Sequence, residues 1–179
     1  MIIDETQFMR ALKGVSAEDV KTYFPLFRDA LPKHSIDTPL RLAHFFAQIG
    51  HESLSLKYKQ ELASGCAYEG RRDLGNVQIG DGVMFKGRGF IQVTGRANYA
   101  LFSKWYYGDM KCVDNPKLLE MPKLAVASAI WFWNTRHLNK YADMDAIKTE
   151  TMSINGGLNG LEDRIKRLEY CKLAFGISK

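Results

Sequence analysis

The sequence is most informative first in what it lacks. It has only three cysteines in 179 residues, Cys66, Cys112 and Cys171, and no two of them have the CxxC spacing. An odd, scattered set excludes a disulfide framework and a zinc site, and it predicts free thiols that are partly buried. No apolar run approaches the roughly 18 residues that cross a bilayer, so we expect no stable membrane insertion.

Repeats, low-complexity tracts and long Pro/Gly linkers are also missing, which favours one continuous domain over residues 1–179. The N-terminal segment, residues 1–14, shows no basic region followed by an apolar one, so no secretory signal is expected and the protein should reside in a cytoplasm. The net charge is +5, which favours an anionic partner such as a wall polymer. The basic residues are dispersed rather than clustered, so nucleic acid is not the expected partner.

Helical signals dominate the remainder. Asp4, Ser16 (in "SAED") and Thr38 are candidate N-caps, and Pro39 would occupy the first position of the third helix. Helical periodicity returns at 97–106, 122–138, 144–154 and 161–175, whereas residues 63–95 are rich in glycine and polar side chains and predict loops and hairpins. The fold class is therefore α+β and predominantly helical, with a small hairpin and loop lobe over about 56–95.

The periodicity of the third helix predicts a core-facing stripe made of Leu42, Phe45, Phe46, Ile49 and Ser53. His44 and His51 fall on the opposite face, with Arg41 and Gln48 beside them. The two histidines lack a third ligand, so no metal site is expected. No Gly-rich phosphate motif is present either, and Cys66, with no base near it, is interpreted as a buried thiol.

Glu52 and Glu61 raise the question of an active site. In one continuous helix they would lie on opposite faces, about 13.5 Å apart along the axis. The segment 54–61 instead alternates with a period of two, which predicts a strand that turns back and lets Glu61 face Glu52 across a groove. Phe45 and Ile49 would desolvate Glu52 and keep its proton for donation, while a solvated Glu61 could activate a water. Two unrelated surface acids would show the same spacing.

The stretch "FKGRGFIQVTGRANY" (85–99) is a tight Gly-containing loop followed by Gln92, Thr94 and Asn98. On an extended segment Gln92 and Thr94 would point the same way. The stretch resembles the signature of glycoside hydrolase family 19, the plant-type chitinases and phage or bacterial endolysins. Three more stretches resemble that family in the right order: "AHFFAQIGHES" (43–53), "AVASAIWFWNTRHLN" (125–139) and "INGG" (154–157) followed by "DRI" (163–165). Together they span roughly residues 40–175.

The resemblance implies a lysozyme-like, two-lobed domain with a central substrate cleft and no cofactor. It implies that Glu52 is the general acid, that Glu61 is the general base and that Thr94 helps to hold the attacking water. Reaction would invert the anomeric configuration. The other positions that the resemblance assigns to the cleft are Gln92, Asn98, Asn155 and Arg164, of which Arg164 would pair with the acid; Tyr58 is a further candidate for a sugar subsite.

One position and one spacing depart from the plant chitinases. Asn159 stands where they have an acidic residue four positions after the Asn of "INGG", so their acid–Arg network must be altered here; Glu162 is one replacement. The short spacing from Glu52 to Glu61 resembles the compact endolysins. Glu69 is a rival for the base.

We therefore expect a monomeric peptidoglycan hydrolase, a muramidase that cleaves the β-1,4 bond between N-acetylmuramic acid and N-acetylglucosamine, without a separate wall-binding domain. It would act at the cell wall after a holin-like membrane protein releases it from the host cytoplasm. The alternatives are a chitinase, a non-catalytic wall-binding domain and a lytic transglycosylase, which needs only one acid.

Overall fold

The computed structural model describes residues 2–178. Helices make up 63% of it, which confirms the predominantly helical fold class. In the described residues the α-helices are, in chain order, α1 (Glu5–Ala11), α2 (Ala17–Ala30), α3 (Pro39–Glu52), α4 (Asp81–Met84), α5 (Arg96–Tyr107), α6 (Lys111–Asp114), α7 (Pro122–Thr135), α8 (Asn139–Asp143), α9 (Ile147–Asn155) and α10 (Leu161–Ala174). Short 3₁₀ segments occupy Leu31–His34, Cys66–Tyr68, Arg72–Leu74 and Pro116–Glu120.

The helix starts predicted from local sequence are confirmed. The carboxylate of Asp4 accepts from the backbone amide of Gln7, whose side chain accepts from the Asp4 amide in turn, a complete capping box. Ser16 caps α2 and Thr38 caps α3, and Pro39 takes the first helical position. Each of these signals operates within three residues, which is why the sequence alone reveals it.

The chain divides into two units: a first unit of residues 2–57 and 132–178, and a second unit of residues 58–131. In the first unit, α3 is the central element, and α10 and α1 pack beside it. Phe46 of α3 meets Phe8, Phe27 and Phe175 with ring centroids 5.6, 5.5 and 5.9 Å apart. This aromatic cluster makes α3 a rigid support for whatever its C-terminus carries.

The prediction that only one face of α3 is buried was wrong. Every residue from 42 to 50 is buried, and His44 and Gln48, assigned to the face opposite the core stripe, are 0% exposed. Side chains from elsewhere in the first unit hydrogen-bond both residues: Glu150 and Asp145 contact His44, and Arg164 contacts Oε1 of Gln48. Periodicity recognises apolar burial and misses a polar face that is buried by long-range partners.

The strand predicted over 54–61 was also wrong. Leu54, Ser55 and Leu56 have φ values of 49°, 55° and 72°, the left-handed region that non-glycine residues rarely adopt. Bonds from the Ser55 amide to the Gly50 carbonyl (2.9 Å) and from the Leu56 amide to the Ser53 hydroxyl (2.8 Å) hold this turn. Ser55 and Leu56 are both buried whereas Leu54 is 49% exposed, so the period of two in the sequence corresponds neither to an extended backbone nor to alternate burial.

The second unit holds loops, 3₁₀ turns and α4, followed by α5, α6 and the part of α7 up to residue 131. In the described residues, pairing between extended segments is confined to two isolated antiparallel bridges, Gln60 with Arg88 and Arg88 with Val93. Arg88 joins both bridges and is 5% exposed, so it anchors this region from within.

All three cysteines are free, but Cys66 is exposed, so its interpretation as a buried thiol was wrong. Its amide hydrogen-bonds the Ser64 hydroxyl in a turn at the surface, where it lacks the apolar surroundings that bury Cys112 and Cys171. None of the helices in residues 2–178 is long and apolar enough to cross a membrane.

Candidate active site

Glu52 is the last residue of α3. The helix ends there because Ser53 leaves the helical conformation and the three left-handed residues follow. The side chain is 20% exposed, and its Oε1 accepts a hydrogen bond from Nη2 of Arg164. A carboxylate on the final turn of a buried helix, with one end open to solvent, combines a fixed position with access to a ligand.

Arg164 of α10 orients this carboxylate from a buried position, since its side chain is only 2% exposed. Nη2 donates to Glu52, Nη1 donates to Oε1 of Gln48, and Nε reaches the backbone carbonyl of Asn159 at 3.4 Å. Three acceptors on three sides fix the planar guanidinium, which matches carboxylate geometry better than a lysine ammonium would. The predicted pairing of Arg164 with Glu52 is therefore present in the structure.

Asn155 supports the Arg164 guanidinium through the loop between α9 and α10. Its Nδ2 donates to the carbonyl of Asn159 (2.9 Å), and its Oδ1 accepts from the amide of Gly157 (2.8 Å). The backbone oxygen of Asn159 thus accepts hydrogen bonds from both Asn155 and Arg164. Glu162 is exposed and is not one of the three acceptors of Arg164, so its suggested role as a replacement acid in the Arg network is not supported.

A second polar contact ties the end of α3 to α10. His51, next to Glu52, bonds Asp163 through Nδ1 (2.7 Å), and Asp163 also accepts from Nε of Arg167 (2.6 Å). Burial alone would raise the pKa of Asp163, but the bonds from His51 and Arg167 outweigh it and lower that pKa. A Cβ on Gly160 would overlap the His51 ring, so glycine there permits close packing.

In the second unit, Glu61 is held at both carboxylate oxygens. Oε1 accepts from the phenol of Tyr68 (2.9 Å), and Oε2 accepts from the amide of Gly87 (3.0 Å). The backbone of Glu61 is fixed as well. Its amide donates to the Gly87 carbonyl, and Nζ of Lys86 donates to the Glu61 carbonyl. Burial, together with the bond to Glu61, raises the pKa of Tyr68, so the phenol keeps its proton and remains a donor.

Gln92 does not lie on an extended segment, as the sequence predicted. Its φ is 55°, and its amide bonds the Gly89 carbonyl (3.2 Å) in a turn closed by the paired backbones of Arg88 and Val93. The Gln92 side chain folds back, with Nε2 donating to the same Gly89 carbonyl (3.1 Å). The tight turn explains the glycine-rich "KGRGF", since Gly89 has φ 75°.

Thr94 follows this turn. Its hydroxyl donates to the Gln92 carbonyl (2.9 Å), and Nδ2 of Asn98 donates to the Thr94 carbonyl (2.8 Å). A Cβ on Gly87 would lie 2.6 Å from Oε1 of Gln92 and 3.2 Å from Oε2 of Glu61. Gly87 is therefore the point at which the Glu61 carboxylate and the Gln92 amide come together.

Arg88 supports the turn from beneath. Nε donates to Glu120 (2.7 Å), and Nη1 donates to the Met84 carbonyl (2.8 Å) and to the Tyr99 phenol (3.0 Å). Burial raises the pKa of Tyr99, despite the opposing charge of Arg88. Nothing local in "KGRGF" distinguishes this inward-pointing arginine from a surface one.

The rival base Glu69 has a structural role. Both of its oxygens accept from backbone amides, those of Gly80 (2.7 Å) and Gly82 (2.8 Å), and so brace the start of α4. Tyr58 is half-buried at the first position of the second unit, and a role in sugar binding stays a prediction.

The predicted site residues therefore fall into two groups. The first unit brings together Glu52, Asn155 and Arg164. The second brings together Glu61, Gln92, Thr94 and Asn98. Among residues 2–178, no group of three His, Cys, Asp or Glu side chains is arranged to hold a metal ion.

Sequence reasoning missed three supporting residues: Gln48, Tyr68 and Gly87. Gln48 precedes Glu52 by one helical turn, which is a usable signal, because i and i+4 share a face. Tyr68 and Gly87 reach Glu61 across loops, and no periodic pattern marks such contacts.

No protein-family model matches the chain. Over 197 aligned positions it is 30% identical to a glycosyl hydrolase family 19 domain-containing protein of Haemophilus influenzae, covering 93% of this chain and 94% of that protein. It is 33% identical to an endochitinase of Arabidopsis thaliana, over 73% of this chain and 47% of the relative. It is 38% identical to the acidic 27 kDa endochitinase of Solanum lycopersicum, over 59% of this chain and 41% of that protein. The chain thus spans less than half the length of these plant relatives.

Solved structures are similar over nearly the whole chain. Chitinase C from Streptomyces griseus superposes with a TM-score of 0.77 at 23% identity, over 99% of this chain and 78% of that one. A bacterial family 19 chitinase superposes with a TM-score of 0.75 at 21% identity, over 99% and 97%. These similarities establish the lysozyme-like fold that the sequence resemblance implied.

Proposed function

Since this chain belongs to glycoside hydrolase family 19 and is a glycoside hydrolase of the chitinase-like type, we propose that it is a muramidase. It would hydrolyse the β-1,4 bond between N-acetylmuramic acid and N-acetylglucosamine in bacterial peptidoglycan. The observation that carries the proposal is the pairing of Glu52 with buried Arg164 at the solvent-facing end of α3. An acid that must donate a proton to a glycosidic oxygen needs this combination of rigid support and access.

Glu52 is proposed to protonate the leaving oxygen. Once the proton has gone, the carboxylate carries a negative charge, and the guanidinium of Arg164 stabilises that product. Asn155 contributes indirectly, because it holds the Asn159 carbonyl that also receives Arg164. Its proposed role is thus to support the acid, besides any contact with sugar.

Glu61 and Thr94 are proposed to prepare the attacking water. The Thr94 hydroxyl donates its proton to the Gln92 carbonyl, so its lone pairs can accept one hydrogen bond from a water. A Glu61 oxygen would accept the other water proton and then remove it as general base. Tyr68 and the Gly87 amide fix the direction in which Glu61 points. Gln92, Asn98 and Tyr58 are proposed to contact the sugar chain.

Two properties support peptidoglycan as the substrate. The net charge of +5 attracts the protein to an anionic cell wall. The chain is also similar in length to its bacterial relative, and it matches less than half of the plant endochitinases. We further propose that the protein acts as a monomeric endolysin, reaching the wall from the host cytoplasm with the help of a holin-like membrane protein.

Chitin is the second candidate substrate. The plant relatives are named endochitinases and the structural neighbours are chitinases, and the same acid and base would cleave poly-N-acetylglucosamine. Chitin oligomers therefore belong in the same assay as peptidoglycan.

The test is mass spectrometry of the soluble fragments that the wild type, Glu52→Gln and Glu61→Gln release from purified peptidoglycan. New reducing N-acetylmuramic acid ends support the proposal, with a loss of about 10²–10⁴-fold in rate for each variant. Exposed Glu162 provides the matched control, because Glu162→Gln changes the same functional group in the first unit and should leave the rate unchanged.

Four other outcomes would overturn the proposal in different ways. Reducing N-acetylglucosamine ends would mean a glucosaminidase. Anhydro ends, with Glu61→Gln fully active, would mean a lytic transglycosylase. Cleavage of chitin oligomers alone would mean a chitinase. Binding to the wall without cleavage of either polymer would mean a non-catalytic domain.

A further inference from the structure

Gln48 is a fully buried amide directly behind the proposed acid. It lies on α3 one turn before Glu52 and is 0% exposed. Its Oε1 accepts from Nη1 of Arg164, whose Nη2 donates to Oε1 of Glu52. Because positions i and i+4 share a helix face, Gln48 and Glu52 hold the two outer nitrogens of one guanidinium side by side.

The other half of the amide indicates why a glutamine is there. Among the described residues, Nε2 of Gln48 has no hydrogen-bond partner although it is buried. A buried donor without a partner costs free energy, whereas an apolar side chain of the same shape would carry no such cost. Nε2 therefore does not explain why a glutamine stands at this position, and the contact between Oε1 and Arg164 is the interaction that a methionine would lose.

Arg164 has another way to bind Glu52. A guanidinium and a carboxylate pair most strongly with two parallel hydrogen bonds. In this structure the pair is limited to one, and within the described residues no hydrogen bond reaches Oε2 of Glu52. That second oxygen is the one left to carry a proton. If Nη1 were released from Gln48, it could rotate onto Glu52, since the remaining contact, Nε to the Asn159 carbonyl, is long at 3.4 Å.

We propose that Gln48 is a positioning residue, which restrains Arg164 to one oxygen of Glu52 and so leaves the other oxygen available for the transferred proton. The inference rests on the proposed role of Glu52 as general acid. Gln48 itself touches neither the substrate nor the reacting atoms; it acts through Arg164.

Two substitutions separate this role from a structural one. Gln48→Met removes the acceptor, so Arg164 should bind both oxygens of Glu52 and favour its ionised form. Gln48→Glu keeps an acceptor and adds a charge that draws Arg164 away from Glu52, with the opposite effect on ionisation. Direct repulsion between two carboxylates also contributes to the rise in Gln48→Glu, so Gln48→Met, which adds no charge, is the decisive variant.

The direct readout is the ¹³C titration of the Glu52 carboxyl by NMR, which needs no substrate. The midpoint should move down by about half a pH unit or more in Gln48→Met and up in Gln48→Glu. The nearby charged groups, His51 with Asp163 and Arg167, are the same in the wild type and Gln48→Met, so a shift in that variant reports on Arg164 and Glu52.

The kinetic readout is the alkaline limb of kcat against pH on whichever polymer is cleaved. It should shift in the same directions, with kcat of Gln48→Met at pH 7 about tenfold lower and KM little changed. Thr151→Val is the control: Thr151 is equally buried in the first unit and its hydroxyl bonds the Ile147 carbonyl. It should lower the melting temperature without moving the limb.

The results distinguish this inference from the function on which it rests. Equal midpoints in the wild type and both variants, or shifts in the same direction, would overturn the role of Gln48. If Gln48→Met does not fold, Gln48→Leu, which also removes the acceptor, gives the same test, and a Glu52 midpoint that does not fall would overturn the role of Gln48. An active Glu52→Gln would instead overturn the assignment of the acid, whatever the Gln48 variants show.

Discussion

The ion pair of His44 and Glu150 gives the sharpest test of how the first unit is stabilised. Both side chains are 0% exposed, and Nδ1 of His44 lies 2.5 Å from Oε2 of Glu150. The second imidazole nitrogen lies 2.8 Å from Asp145, which also pairs with Lys172. Oε1 of Glu150 has no hydrogen-bond partner among the described residues. His44 is therefore the group that compensates the Glu150 carboxylate.

Replacing His44 by leucine would leave that carboxylate buried without its partner. Breaking a buried pair in this way costs about 3–5 kcal/mol, whereas replacing both partners by apolar residues is often neutral or stabilising. Unfolding of 179 residues carries an entropy of about 0.38 kcal/mol/K, so His44→Leu should lower Tm by about 8–13 °C. His44→Leu/Glu150→Leu should recover most of that loss.

The effect should depend on pH in a defined direction. Burial alone would lower the pKa of His44, but the bonds and charges of Glu150 and Asp145 outweigh it and raise that pKa above 6.5. A raised folded-state pKa contributes stability that is fully present below the unfolded value, near 6.5, and is lost as the pH rises through the folded value. The advantage of wild type over His44→Leu/Glu150→Leu, which leaves no unpaired carboxylate to titrate, should therefore be largest at pH 6 and should shrink towards pH 9.

Urea denaturation of the wild type, the two single variants and the double variant at pH 6, 7.5 and 9 measures all of this. Strict additivity of the two single losses in the double variant would refute the reasoning, because it would mean that the side chains do not compensate each other. A gap between wild type and the double variant that widens with pH would refute it as well.

Two further stability changes follow from the second unit. Gly89→Ala should cost about 2–4 kcal/mol in urea denaturation, because φ is 75° and the new methyl would overlap Ser128 Oγ; adding Ser128→Ala should recover part of it. Asp81→Asn should cost about 2 kcal/mol at pH 7. The hydrogen bond from Arg96 holds the pKa of Asp81 below 3.8, so the wild-type advantage, present above that value, should vanish as the pH falls through the lowered pKa.

The parts of the fold that could be predicted are those with local causes. The caps at Asp4, Ser16 and Thr38 use side chains within three residues of the amides they satisfy, and apolar periodicity then carries each helix forward. The prediction of a strand after Glu52 failed for a physical reason. A period of two is typical of a strand, but the left-handed φ values of 54–56 turn the chain, so that Leu54 is exposed while Ser55 and Leu56 are buried.

The residues of the candidate site likewise divide into those that the sequence could assign and those that it could not. Family resemblance assigned Glu52, Glu61 and Arg164, and the structure supplies contacts that fit the pairing of acid and arginine. The partner of Glu52 lies 112 residues away in the chain, and the amide that holds Glu61 lies 26 residues away. Such contacts depend on the assembled core, so no local pattern predicts the phenol of Tyr68, and the i,i+4 spacing of Gln48 and Glu52 indicates a shared helix face but not the arginine that joins them.

Each carboxylate takes its hydrogen bonds from its own unit, and this has a consequence for kinetics. Tyr68→Phe removes one of the two donors to Glu61 and leaves Glu52 and its contacts unchanged, so kcat should fall about tenfold with little effect on Tm. Gln48→Met acts on Glu52 alone, through Arg164. Because the two substitutions share no partner, their effects on log kcat should add. A double variant no slower than the slower single variant would mean that the two carboxylates are oriented as one network, contrary to the contacts described above.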